Sequence, residues 1–139
     1  MMRFHSFTIN LVTECRVHPL GMENRAIPNS AVTASSMFAS QHEPWQARLK
    51  NLKTSQSTGS WSAGTNTVGQ WLQIDLGKET VVAKIATQGR PSFAQWVKSY
   101  KFLFSVDGVN WNKYKSNGSV KVTVFSKTVF KIRYFQGCT

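Results

Sequence analysis

The chain has 139 residues, 41% of them apolar, including five Trp and nine Phe, which excludes intrinsic disorder and predicts a single domain with a real core. There are 17 Lys and Arg against 6 Asp and Glu, a net charge of +11, and eight of the basic residues fall from Lys98 onward with one acid, Asp107. A field of that sign selects anionic partners, and no apolar run approaches the ~20 residues that span a bilayer.

In chain order, Met1 to Glu14 is a poor hydrophobic region with no small-residue cleavage site after it, so it reads as a disordered or leader segment without an evident signal peptide. Cys15 and Cys138 lie near the two ends, neither with metal-type spacing. A bridge between them and two unrelated thiols both fit the residues. Pro19-Leu20-Gly21-Met22 and Ile27-Pro28 punctuate the next stretch into turns. Asn29 to Ala39 predicts a short strand around Val32. Ser40 to Pro44 is a polar loop, and Trp45, Leu49 and Leu52 have the spacing of one helical turn. Lys53 to Asn66 is a long Ser/Thr/Gly loop in which Trp61 reads as an anchor. Gly69 to Gly77 alternates, with Leu72, Ile74 and Leu76 on one face; it predicts a strand, antiparallel to a second at Val81 to Arg90.

Trp96 to Ser105 predicts a further strand, and Asp107-Gly108 a hairpin turn into Asn110 to Lys115. Asn117-Gly118 is a second hairpin signal, and Asn117 also heads a glycosylation sequon. Val120 to Phe125 and Val129 to Phe135 close the pattern. Short strands between turn signals, with no long helical period, mean an all-β sandwich or barrel. Trp71, Trp96 and Trp111 are expected in its core, and Arg48 in a structural ion pair.

Catalytic patterns are missing. His42-Glu43-Pro44-Trp45-Gln46 begins like a zinc-protease motif but ends in Gln46, and Pro44 forbids the helix it needs. No nucleophile elbow or carboxylate pair occurs, and His5, His18 and His42 are dispersed. The residues therefore give no reason to expect enzyme activity, a metal or a cofactor.

The sequence closely resembles the discoidin domain family, also called the coagulation-factor five/eight type C domain. The resemblance rests on ordered blocks: Cys15 with Pro19-Leu20-Gly21-Met22-Glu23, Val32-Thr33-Ala34-Ser35-Ser36, Ala47-Arg48-Leu49, and Gln70-Trp71-Leu72-Gln73-Ile74-Asp75-Leu76-Gly77. Ala86-Thr87-Gln88-Gly89-Arg90 and Ser105-Val106-Asp107-Gly108-Val109-Asn110-Trp111 continue it. It runs from Cys15 to about Ser119, after which the chain is one or two strands short of the family pattern.

The resemblance implies a jelly-roll β-sandwich over residues 15–138 with Cys15 bridged to Cys138. It also implies an extracellular, secreted or cell-surface module acting in adhesion or recognition. Its implied ligands are glycans, cell-surface or matrix proteins, or anionic phospholipid; nucleic acid is not among them. By matching motifs, the family's binding loops fall at Ala39 to Pro44, Ser57 to Asn66 and Gly89 to Gln95. Their candidate ligand-binding residues are His42, Glu43, Asn66, Arg90, Ser92 and Phe93. With Phe93 as the one obvious apolar tip, the set favours a glycan, with carbohydrate hydroxyls bound by the polar groups. Peripheral binding to anionic membranes is the alternative.

Overall fold

The computed structural model describes residues 2–5, 18–82, 85–116, 119–120, 122–124 and 136–137, and these are all-β apart from two short 3-10 turns. The strands are β1 (Met2–His5), β2 (His18–Pro19), β3 (Val32–Ala34), β4 (Leu72–Asp75), β5 (Ser99–Ser105), β6 (Asn112–Lys113), β7 (Lys115–Ser116), β8 (Ser119–Val120), β9 (Val122–Val124) and β10 (Gln136–Gly137). The main sheet runs β3-β4-β1-β5-β6, with β9 paired to the first half of β5. β2 and β10 pair antiparallel, Gly137 opposite His18, which brings the two flanks of the domain together.

The alternation of Leu72 and Ile74 is a strand signature, and both side chains are buried. Around them pack Met22, Ile27, Val32, Ala47 and Phe102. The hairpin predicted at Asp107-Gly108 joins β5 to β6, with Leu103 opposite Lys113. β7 and β8 also pair antiparallel, Ser116 opposite Ser119, as the second hairpin signal requires. Asn117 itself, the two cysteines and Val129 to Phe135 lie outside the described residues.

Several expectations are corrected. Val81 to Arg90 is not β4's partner strand; its described residues carry a single isolated bridge at Ala86. The reason is occupancy: β3 takes one edge of β4 antiparallel and β1 takes the other in parallel. Val82 and Ile85 instead pack as half-buried side chains against the core. Met2–His5, inside the stretch read as a leader, is a strand of the main sheet. Asn29–Ala31 forms a 3-10 turn, which shortens the predicted strand to Val32–Ala34. Trp96 is exposed, while Trp71 and Trp111 are half-buried.

Arg48 is structural, but its partners are carbonyls in place of a carboxylate. The residue is only 1% exposed, and its guanidinium donates to the Met22 carbonyl at 2.9 Å, the Ile27 carbonyl at 2.8 Å and Asn29 Oδ1 at 2.8 Å. These bonds clamp a tight loop closed by the Ile27 amide donating to the Gly21 carbonyl. Gly21 has φ +111, and a Cβ there would lie 2.7 Å from the Ala26 Cβ, so only glycine fits the bend.

Candidate functional site

The sheet register decides which loops share an end. β4, β1 and β5 run parallel, and Leu72, Met2 and Phe102 stand in one row. β3 runs the other way, with Ala34 opposite Leu72. The segments leaving β3, entering β4 and entering β5 therefore emerge at the same end. They carry the three loops expected to bind ligand.

Side chains fasten these loops together. Ser35 Oγ and Ser36 Oγ both donate to Gln70 Oε1, at 2.8 and 2.5 Å, and the Gly64 amide donates to Ser36 Oγ. Trp61 Nε1 donates to the Ser36 carbonyl at 2.9 Å and its ring packs on the core, so Trp61 is the anchor the sequence suggested. Below the first loop, Pro44–Ala47 makes a 3-10 turn with Pro44 at its start, where a missing N–H costs nothing. Gln46 is buried there; its Oε1 accepts from Asn51 Nδ2 at 2.6 Å and from Ser57 Oγ at 2.5 Å.

His42 sits at the junction. Thr58 Oγ1 lies 3.3 Å from its Nδ1, and the ring stands edge-on to Phe38 at 5.5 Å. Burial, then the Arg90 charge, lowers its pKa from the usual imidazole value, with Glu43 opposing. The next residue along, Gly59, has φ +69, and a Cβ there would fall 2.7 Å from the Leu52 carbonyl carbon and 2.9 Å from Pro91 Cγ. That close approach seats the Leu52 and Pro91 segments against the second loop.

The third loop is closed by the Arg90 amide donating to the Gln95 carbonyl and by Arg90 Nη1 donating to Gln95 Oε1 at 2.6 Å. The Arg90 guanidinium lies 3.9 Å from the centre of the Phe93 ring, and Lys53 Nζ lies 5.2 Å from it. These are cation–π contacts that fix both charges beside an exposed ring.

The six expected ligand residues thus divide. His42 is buried, and Glu43 Oε2 accepts from Gln46 Nε2 at 3.4 Å. Arg90 is held by Gln95 and Phe93. Ser92 is exposed at φ +64, Phe93 is exposed at the tip, and Asn66 is exposed on the second loop. What sequence reasoning missed is mostly apolar. Among the described residues eight large hydrophobic side chains are exposed, and six of them stand on or between these loops and at the strand entries beside them: the expected tip Phe93, and Met37, Phe38, Leu52, Val68 and Trp96, which the sequence does not mark as site residues. Phe38 is 69% exposed and Leu52 71%. Val106 and Val109 are the other two, in the turn at the far end of β5. Lys53, Arg90 and Lys98 supply positive charge at the loop end; Lys98 immediately precedes β5. Among the described residues no group of three metal-ligating side chains occurs, and no helix is long and apolar enough to cross a membrane.

Comparison with known proteins agrees with this architecture. The family model of the F5/8 type C domain matches residues 31–136, running beyond Ser119, where the resemblance was read as lapsing. Lactadherin of Sus scrofa is 38% identical over 115 residues, covering 77% of this chain and 27% of that protein. Coagulation factor VIII of Canis lupus familiaris is 38% identical over 106 residues, covering 75% of this chain and 4% of that protein. The human EGF-like repeat and discoidin I-like domain-containing protein 3 is 38% identical over 112 residues, 77% of this chain and 23% of that protein. The chain therefore spans about a quarter or less of the relatives it matches, and with its all-β sheet, its anchored loops and this family match it belongs to the F5/8 type C, or discoidin, domain family.

Proposed function

We propose that the chain is an extracellular recognition module whose loop end docks reversibly on membranes bearing anionic phospholipid. The observation that carries this reading is the concentration of exposed apolar side chains at one end of the sheet, with cations beside them. Phe38, Leu52 and Phe93 together expose a little less than two whole side chains, which supports about 3–5 kcal/mol of burial in an interface. Lys53, Arg90 and Lys98 each add about 1 kcal/mol near an anionic leaflet. Association costs of at least ~4 kcal/mol offset much of this, so docking is weak and needs both contributions.

The glycan reading falls to second place for a physical reason. Its polar set is engaged within the chain: His42 with Thr58, Glu43 with Gln46, and Arg90 with Gln95. Co-sedimentation with phosphatidylcholine vesicles, with and without phosphatidylserine, tests the proposal. Binding is expected only with the anionic lipid and falls as salt rises. Capture on a glycan array by protein that ignores both vesicle types would overturn it in favour of carbohydrate.

A further inference from the structure

β4 and β5 are not neighbours: β1 lies between them, parallel to both. Adjacent strands stand about 4.8 Å apart, so β4 and β5 are separated by about 10 Å and cannot hydrogen-bond to each other. The β1 backbone therefore serves two ladders at once. Its register also matches its sequence. Met2 is level with Leu72 and Phe102, and Phe4 with Ile74 and Phe104. Those four neighbours belong to the core or pack against it. Arg3 is level with Gln73 and Leu103, and His5 with Asp75 and Ser105. Met2 and Phe4 thus stand at register positions level with core-packed residues on both neighbouring strands, whereas Arg3 and His5 are level with half-buried Gln73 and Asp75 on β4 and with buried Leu103 and Ser105 on β5.

We propose that the gap between β4 and β5 is a strand-acceptor site for an extended apolar–polar segment taken in parallel register. Met2–His5 is the copy of that segment which the chain itself carries. The occupant is held by ladder hydrogen bonds and two apolar positions, so a free peptide of the same sequence fills the site when the chain's own strand cannot. Occupancy also joins the half-sheet that leads to Phe38, through β3, to the half that follows Phe93, through β5. The inference rests on the sheet alone and holds whatever ligand the loop end takes.

The test uses the full chain. Arg3→Pro removes an N–H and cannot sit in a central strand, whereas Arg3→Ser leaves the backbone free to pair. Arg3→Ser is expected to melt like the parent, and Arg3→Pro at least about 10 °C lower or without a cooperative transition. Excess peptide of residues 1–7 should restore the Arg3→Pro melt in a concentration-dependent way. The same peptide carrying Met2→Ser and Phe4→Ser should not. Equal melts for the two Arg3 variants would overturn the inference. So would failure of the native peptide to restore Arg3→Pro, or restoration by the serine peptide.

Discussion

Leu52→Ser isolates the apolar contribution to docking. Leu52 is 71% exposed, and its backbone is pressed against Gly59. The substitution therefore removes apolar surface that the folded protein does not bury, and stability should stay within about 0.5 kcal/mol of the parent. In an interface, full burial of a leucine is worth ~1.5–3 kcal/mol, so the exposed share is about 1–2 kcal/mol. That corresponds to roughly 5- to 30-fold weaker partitioning onto phosphatidylserine vesicles. Val109→Ser is the matched control: Val109 is 77% exposed but stands in the turn beyond the seven-residue β5, at the other end of the sheet. Seven strand residues put roughly 20 Å between it and the loop end. Lipid titrations by co-sedimentation, with thermal melts alongside, separate binding from folding. If Leu52→Ser binds like the parent, or Val109→Ser loses as much, the loop end is not the docking surface.

Arg48→Met orphans the Met22 and Ile27 carbonyls and Asn29 Oδ1, and should lower stability by about 3–5 kcal/mol in urea titrations; Arg48→Lys, with one point charge for three acceptors, should fall between. Asp107 is held below the usual carboxylate range, first by the Asn110 amide and side chain, then by Val109 and Ser105. A depressed acid stabilises above its unfolded pKa of ~3.9 and loses that contribution as pH falls, so Asp107→Asn should shrink the drop in urea midpoint between about pH 5 and 3. Burial and Arg90 favour neutral His42, so its contribution is complete above the unfolded value of ~6.5 and lost as pH falls through the lower folded value. His42→Gln should therefore flatten the stability profile between about pH 7 and 5, and an unchanged profile would remove His42 from the account. Gly59→Ala must move Leu52 or Pro91 and adopt φ +69, so it should cost more than about 1 kcal/mol and weaken vesicle binding beyond that loss of folded protein.

Much of the fold was legible because local rules and packing agree there. Period-two alternation at Leu72 and Ile74 marked β4, and Asp107-Gly108 marked the β5–β6 hairpin. β1 was not legible, because Met-Arg-Phe-His is too short to stand out from a weakly hydrophobic run. Its register partners are 70 residues away on β4 (Met2 to Leu72) and 100 on β5 (Met2 to Phe102), and no local signal names them. Val81 to Arg90 has the composition of a strand, but composition does not show that both edges of β4 are taken. Arg48 was rightly read as structural. Carbonyl ligation in place of an ion pair could not be read, because a loop brought in by Gly21 supplies two of its acceptors.

The candidate site is inverted in part. The sequence marks the polar residues of its loops, together with Phe93, as ligand contacts, and it places Trp96 in the core. Leu52 shared helical spacing with Trp45 and Leu49, Phe38 lay inside a stretch read as strand, and Trp96 began one. In the fold, Gln46 and His42 are tied to Ser57 and Thr58 of the second loop, and Arg90 closes its own loop onto Gln95. Loops fixed in this way cannot collapse to bury their own tips. Phe38, Leu52 and Phe93 are left in water on a pre-ordered support, and such a support reduces the entropy lost when they enter an interface. Weakening the buried polar bonds should therefore reduce docking even where no apolar tip is changed. Ser57→Ala, which removes the bond to Gln46 and the one accepted from the Gly59 amide without changing an apolar tip, tests that directly: vesicle binding unaffected by it would mean that the tips act without the scaffold beneath them.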